Sequence, residues 1–244
     1  MAKKPVIGIT LDWAKEGSFS QRPHYALRED YFDTVEKAGG VPIGLPYNEK
    51  SREEYLALVD GILIPGGTIA KPIEWYEEGT KEPAYAHSPR LVSDIWYTRQ
   101  ALEKKIPFLG ICEGMQVMAG VLGCKLTADV HKTFKTDINH ARWGKGEEFA
   151  HKVKIYKGTK LHSILGVESG ETNSLHREGV FNLPEDVVLA ATAEDGVIEA
   201  IEAKEHPFAL GLEWHPEYFS EKPDPDFKIL QAFIKTAASY RGSK

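Results

Sequence analysis

A cysteine between two glycines occupies the most informative stretch of the sequence. Residues 108–116 read Phe-Leu-Gly-Ile-Cys-Glu-Gly-Met-Gln, an apolar run followed at once by an amphipathic pattern. This order predicts a strand, a tight turn and a helix, with Cys112 at the corner. A thiolate gains there from free N–H groups and the positive end of the helix dipole, which lower a thiol pKa. The segment equally fits a buried cysteine in an ordinary turn, and alone it does not choose between the two.

A general base for such a thiol is offered by His215, which is followed by Pro216 and Glu217. Proline favours extended geometry in the residue before it, and alternate residues of an extended chain point to the same side. We therefore expect Glu217 to accept a hydrogen bond from one ring nitrogen of His215, leaving the other to take the thiol proton. Taken alone, the motif also describes a turn after a strand with a solvated glutamate.

A glycine pair provides candidate donors for an oxyanion. Gly66 and Gly67 follow the apolar segment 61–64 and Pro65. Backbone N–H groups of Gly67 and Glu113 could stabilise negative charge that develops on a carbonyl oxygen. By itself, the glycine pair is more typical of a plain strand-to-helix turn.

The elements that must position these residues alternate along the first half of the chain. Strands are predicted at 6–11, 41–45, 61–64 and 107–111, and helices at 25–38, at 51–59 with a Ser-x-x-Glu capping box, and at 90–104. Alternation of this kind predicts an α/β fold: a mostly parallel central sheet with helices on both faces. Ligands bind such sheets at the carboxyl ends of the strands, where Cys112 and the glycine pair lie.

The second half of the chain predicts a smaller antiparallel extension of the same domain. Short apolar segments at 153–156, 187–191, 197–201 and 209–212 are typical of strands joined by turns, and 225–240 is typical of a closing amphipathic helix. No segment has the composition of a linker, so we expect a single domain over residues 1–244.

The composition of the 244 residues argues against several classes of function. The formal net charge is −6, the sequence pI is about 5.9, and no basic block is present, so neither a nucleic-acid partner nor a membrane surface is expected. No signal peptide or long apolar run is recognised, and the two cysteines make no disulfide framework. We expect a cytoplasmic protein with a small-molecule substrate; a homodimer is one option for its assembly.

Other chemically capable residues receive a structural interpretation. Cys124 is predicted to be a small buried side chain. Four histidines have no cysteine or carboxylate partner at ligand spacing, so neither a metal site nor a cofactor is expected and surface or loop positions are predicted for His131, His140, His151 and His162. The long loop 68–89 carries three aromatic residues that could form a lid over the site or pin the loop to the core; we favour the lid for Trp75, Tyr76 and Tyr85.

The three motifs, in this order along the chain, resemble class I glutamine amidotransferase-like proteins and, more narrowly, their peptidase C26 group. The similarity spans nearly the whole chain and is carried by the segments 38–42, 45–46, 60–66, 110–116, 173–176, 195–200, 206–211 and 214–217. The cysteine and His-Pro-Glu motifs are specific to the superfamily. Segments 173–176 and 206–211 point to the branch that hydrolyses γ-glutamyl amides.

The resemblance implies a flavodoxin-like fold and hydrolysis of a γ-glutamyl amide through a cysteine thioester, without a cofactor. Cys112 would be the nucleophile, His215 the general base and then acid, and Glu217 the residue that orients it. Gly67 and Glu113 would supply the oxyanion N–H groups. Substrate contacts would come from Gly66, Gln116, Ser174, His176 and Tyr76; a hydrogen-bonded loop is the alternative for Ser174 and His176.

Two positions depart from the pattern of relatives. Glu113 stands where many carry Arg, and Arg90-Leu91 stands where they often have Arg-Asp. An acid suits the first turn of a helix, yet Glu113 is expected to oppose thiolate formation and to repel an anionic substrate tail. Two alternatives to the hydrolase stay open: a glutaminase subunit that passes ammonia to a partner synthetase, and a catalytically silent binding protein.

Overall fold

The structure, a computed structural model, describes residues 3–17, 20–80, 88–219 and 225–242. In chain order its strands are β1 (Val6–Thr10), β2 (Asp12–Ala14), β3 (His24–Ala26), β4 (Val41–Leu45), β5 (Gly61–Ile64), β6 (Phe108–Ile111), β7 (Lys125–Thr127), β8 (His151–Ile155), β9 (Ser169–Thr172), β10 (Gly179–Asn182), β11 (Val187–Ala193), β12 (Ile198–Ala203) and β13 (Ala209–Leu212). The α-helices are α1 (Glu29–Lys37), α2 (Arg52–Leu58), α3 (Pro89–Glu103), α4 (Glu113–Val121), α5 (Val130–Phe134), α6 (Lys160–Leu165) and α7 (Phe227–Gly242). Short 3-10 helices cover Ile73–Trp75 and Pro216–Phe219.

Nine strands form one sheet in the order β4-β1-β5-β6-β13-β12-β11-β8-β9. Neighbours from β4 to β13 are parallel, and those from β13 to β9 are antiparallel. The predicted α/β class is confirmed, and the antiparallel extension continues the parallel half as a single sheet.

Alternate side chains of the central strands enter two cores, one on each face of the sheet. On β6, Phe108 packs with residues of α2, α3 and α4, whereas Leu109 packs with residues of α1, α6 and α7. Both side chains are completely buried. Helices on both faces, as predicted, explain why these strands are continuously apolar.

Local structure differs from the sequence prediction at two helix starts. The helix predicted from residue 25 begins at Glu29, because β3 pairs with β2 in a small antiparallel ribbon. The capping box predicted at Ser51 does not form, since the Ser51 side chain makes no cap hydrogen bond. In the described ranges, no helix is long and apolar enough to cross a membrane.

Candidate functional site

Cys112 lies at the corner between β6 and α4 in a backbone conformation that L-residues rarely adopt. Its φ is 51° and its ψ is −104°, a strain that costs on the order of 1–3 kcal/mol. Two glycines allow the tight corner: a Cβ at Gly110 would lie 2.6 Å from the backbone of Gly114, and a Cβ at Gly114 would overlap the carbonyl of Ile64. The helix therefore packs directly on β5 and β6, with Cys112 at the carboxyl edge of the sheet.

His215 follows β13, the strand that pairs with β6, and its ring is held by Glu217. The His215 Nδ1 and Glu217 Oε1 atoms are 2.7 Å apart. Glu217 lies in the 3-10 helix that begins at Pro216, not in the extended chain that the sequence predicted, so a helical turn brings the two side chains together. Arg28 Nη2 lies 2.8 Å from the same Glu217 oxygen. Although burial opposes ionisation, His215 and Arg28 hold the pKa of the Glu217 carboxyl below its ordinary value.

Asn173 holds the backbone N–H and the backbone carbonyl of His215. Its Oδ1 accepts from the His215 N–H at 2.8 Å, and its Nδ2 donates to the His215 carbonyl at 3.0 Å. Gly66 lies close to the ring, since a Cβ there would approach His215 Cε1 to 2.6 Å. The Gly66 N–H donates to the Tyr31 hydroxyl at 2.9 Å, and is therefore engaged within the protein.

The loop of Gly66 and Gly67 rests on the fully buried Arg90. Its Nη1 donates to the Gly66 carbonyl at 2.9 Å and its Nη2 donates to the Pro65 carbonyl. A Cβ on Gly67 would collide with the guanidinium. Arg90 Nε also donates to Asp94 Oδ2 at 2.9 Å. An acid one turn along α3 thus contacts Arg90.

Cys112 and His215 line one cavity of about 490 Å³. A narrower cleft of about 30 Å³ adjoins it and shares Gly67, Cys112 and Trp143 with it. Predicted site residues divide between these spaces: Gly66 lines the wide cavity, and the narrow cleft is lined by Glu113, Gln116 and His176. Trp143, in a loop with no motif, was not identified from the sequence.

The side chain of Glu113 is buried and paired with a lysine. Its Oε2 lies 3.0 Å from Lys71 Nζ, which lies 2.8 Å from Glu178 Oε2. Burial raises the pKa of the Glu113 carboxyl, and Lys71 opposes that rise. The pair was not foreseen because Lys71 stands in the weakly patterned loop 68–89.

The Cys112 thiol has a raised pKa, in contrast to the low value that the helix N-terminus predicts. Burial is the main cause, and the carboxylates of Glu213 and Glu113 add to it, while Lys71 opposes them. The Glu113 N–H contributes a hydrogen bond to the sulfur that lowers the pKa. Desolvation outweighs the helix terminus, so the protonated thiol is the favoured form of Cys112.

Two predicted substrate contacts lie behind the narrow cleft and are absent from the lining of both spaces. Tyr76 donates its hydroxyl to Glu178 Oε2 at 2.8 Å. Ser174 Oγ lies 3.3 Å from His140 Nδ1. Trp75 packs against Gly120 of α4, so the lid favoured from the sequence is wrong for Trp75 and Tyr76, which pin the loop to the core. The third aromatic residue of that prediction, at position 85, lies outside the described residues.

Three imidazoles and a glutamate form a buried cluster behind this cleft. The prediction that these histidines lack a carboxylate partner is wrong for His140 and His151, which lie 3.4 and 3.3 Å from Glu199 Oε1. His140 lies in a loop, as predicted, but is buried, and His151 lies buried on β8. Glu199 lies on β12 and His151 on β8, so only the sheet order brings them together. Burial opposes protonation of His140 and His151, yet Glu199 raises the pKa of both rings.

The chain is similar to known proteins over most of its length. Residues 5–217 match the family profile of peptidase C26. A glutamine amidotransferase-like protein of Rickettsia prowazekii is 32% identical, with 97% of this chain and 99% of that protein covered. The gamma-glutamyl-gamma-aminobutyrate hydrolase PuuD of Escherichia coli is 28% identical, with 98% and 96% covered.

A solved structure described as a GMP synthase subunit of Thermoplasma acidophilum superposes with a TM-score of 0.66 at 20% identity. The match covers 99% of this chain and 98% of that one, which shows a shared fold. Because the family profile and the Rickettsia relative each span most of the chain, the protein belongs to the peptidase C26 group of class I glutamine amidotransferase-like proteins.

Proposed function

We propose that this protein hydrolyses a γ-glutamyl amide to glutamate and an amine through a thioester on Cys112. One observation carries the proposal: Cys112 and His215 line the same cavity, and His215 Nδ1 is engaged by the buried Glu217 at 2.7 Å. The other ring nitrogen of His215 is then the one available to a thiol proton. The family and the hydrolase relative support the substrate class.

The first half of the reaction forms the thioester. His215 accepts the Cys112 proton as sulfur attacks the amide carbonyl, and the new oxyanion accepts hydrogen bonds from the Gly67 and Glu113 N–H groups. Glu217 holds the ring and stabilises the imidazolium. The intermediate collapses by breaking the C–N bond, and the imidazolium gives its proton to the departing amine.

The second half releases glutamate. His215 takes a proton from a water molecule, and the oxygen of that water attacks the thioester carbonyl. The second tetrahedral intermediate expels the thiolate, which recovers a proton from the ring. Glutamate leaves and the neutral thiol is restored, in agreement with the raised pKa of Cys112 in the free protein.

We assign the two ends of the substrate to the two spaces. The narrow cleft, with Gln116 and His176, would take the glutamyl moiety, and the wide cavity would take the amine. Trp143 and Tyr218 give the wide cavity apolar walls, and Asp12 and Arg28 give it charges of both signs. Ser174 and Tyr76 would act indirectly, through His140 and Glu178. A space of about 490 Å³ exceeds what ammonia needs, which favours an extended amine.

Turnover of γ-glutamyl amides of aminobutyrate, a polyamine, ethanolamine and an aromatic amine tests the proposal. We expect Cys112→Ala to abolish hydrolysis, while Cys124→Ala, which changes the other buried cysteine, leaves it near wild type. A glutamyl-sized mass increase confined to Cys112 is expected when substrate is mixed with enzyme and quenched. Unchanged turnover by Cys112→Ala would end the proposal.

A glutaminase that passes ammonia to a partner is the second candidate, since several relatives are described as glutamine amidotransferases. It predicts that glutamine is cleaved better than every substituted amide and that cleavage increases with a partner. If the protein is catalytically silent, a glutamine-like diazo-ketone should not label Cys112. Hydrolysis that prefers a substituted amide would reject both.

A further inference from the structure

We propose that His140, His151, His176 and Glu199 form a structural site for a divalent transition metal, with Zn²⁺ as the best-matched ion. The four side chains are buried. They come from β8, β12 and the segments after α5 and β9, which are distant in sequence. Two or three imidazoles with one carboxylate are a donor set typical of Zn²⁺.

Four of the distances between donor atoms are close to the edge lengths of a coordination tetrahedron. Glu199 Oε1 lies 3.4 Å from His140 Nδ1, 3.3 Å from His151 Nε2 and 3.5 Å from His176 Nε2. His140 Nδ1 and His176 Nε2 are 3.2 Å apart. A tetrahedron with Zn–N bonds of about 2.0–2.1 Å has edges of roughly 3.3–3.4 Å. The donor atoms of His140, His151 and Glu199 all lie within 4.8 Å of one another.

Contacts on the far side of each ring determine which nitrogen faces the cluster. His140 Nε2 lies 2.9 Å from Asp195 Oδ2. His176 Nδ1 lies 2.9 Å from the Glu178 carbonyl. The His151 Nδ1 is 3.3 Å from the Lys152 carbonyl. Each of these partners can only accept a hydrogen bond, so in a neutral ring the nitrogen next to the partner carries the proton. The other nitrogen then directs its lone pair towards Glu199, as in metal-bound histidines whose second nitrogen donates to an acceptor.

Several atoms directed at the centre have no hydrogen-bond partner. Among the described residues, both carboxylate oxygens of Glu199 and the Nε2 of His151 are buried and make no hydrogen bond of good geometry, although Glu199 Oε1 and His151 Nε2 lie 3.3 Å apart. Ser174 Oγ is the neighbouring hydroxyl, 3.3 Å from His140 Nδ1. A buried carboxylate that faces several ring nitrogens needs positive charge between them, from protons on the rings or from a cation, and a metal ion bonds all of these atoms at once.

The site would be structural, because buried side chains enclose the cluster. His176 shares its segment with Asn173, which holds the His215 backbone through two hydrogen bonds. Binding would therefore tie this segment to β8 and β12 and preserve the position of the proposed base. It does not depend on which amide is hydrolysed.

The test uses the full-length protein without an affinity tag, stripped by a strong chelator and titrated with Zn²⁺ or Co²⁺. We expect about one ion per chain, the visible spectrum of four-coordinate Co²⁺, and a higher thermal midpoint with metal. Glu199→Gln and His151→Asn should lose the ion, while His162→Asn, which changes a half-buried histidine in α6, should keep it. Asp195→Asn should weaken binding by about 10–100-fold through the His140 ring.

If the cluster variants fail to fold, the titration of wild-type protein still decides. A folded, metal-free wild type that binds neither ion would overturn the proposal. It would show that protons on the imidazoles neutralise the Glu199 carboxylate. Equal metal loss in His162→Asn would place the ion elsewhere and overturn it as well. Full retention by both Glu199→Gln and His151→Asn would have the same meaning.

Discussion

Glu113 Oε2 and Lys71 Nζ lie 3.0 Å apart in a region where both side chains are almost entirely buried. The acid beside the proposed nucleophile is thereby matched by a cation, which Glu178 shares. This pairing reduces the repulsion of an anionic substrate that the sequence predicted for Glu113. Its effect on the thiol remains, because Glu113 is one of the groups that raise the Cys112 pKa.

Replacing Glu113 by Gln should make the Cys112 thiol more acidic. The change removes a negative charge next to the sulfur and keeps the backbone N–H and Lys71. The Cys112 pKa is expected to fall, and iodoacetamide should therefore label Cys112 faster at pH 8 than it does in the wild type. Exposed Glu168→Gln is the control and should leave the rate unchanged. Slower labelling in Glu113→Gln would contradict the assigned charge effect.

Replacing Lys71 by Met should destabilise the protein strongly. It would leave Glu113 and Glu178 buried without their cation, a loss of about 3–5 kcal/mol in the free energy of unfolding. Urea denaturation followed by tryptophan fluorescence measures the change. Lys157→Met is the matched control, since Lys157 Nζ lies 2.9 Å from Glu168 Oε1 in an exposed pair, and it should alter stability little. Similar losses in both variants would refute the argument from burial.

Replacing Gly67 by Ala should damage catalysis more than folding. The added Cβ meets the Arg90 guanidinium, so the loop must shift and its proposed oxyanion N–H moves with it. We expect kcat to fall by roughly 10²–10³-fold. Gly170→Ala, on β9 with open space around its Cβ, should behave as wild type. A Gly67→Ala enzyme with nearly full kcat would exclude this N–H as an oxyanion donor.

Glu217 should make stability depend on pH in the acid range. Its pKa is lowered by folding, so between the folded value and the unfolded value of 4.5 the unfolded chain binds more protons. The stabilisation is complete above the unfolded value and is lost as pH falls through the folded one. The stability difference between wild type and Glu217→Gln should therefore be largest near pH 7 and shrink below about pH 4.5. Urea midpoints across this range measure it; a constant difference would disprove the linkage.

Local sequence patterns determined the architecture and the proposed catalytic residues of this protein. Alternating apolar segments predicted the parallel half of the sheet, and glycines around Cys112 predicted its corner, because both follow from neighbouring residues and backbone sterics. The His215–Glu217 contact was also predicted, although a 3-10 turn forms it. These features need only a few consecutive residues.

Only the tertiary structure determined which charged groups surround the proposed catalytic residues. The sheet order places β13 beside β6. Packing of distant segments brings Arg28 to Glu217 across 189 positions of sequence and Lys71 to Glu178 across 107. The histidine cluster likewise forms only because β8 and β12 lie in one sheet with β11 between them. Burial raises the Cys112 pKa although the helix dipole would lower it. Desolvation depends on every element that packs around the sulfur, so a local sequence pattern cannot predict it.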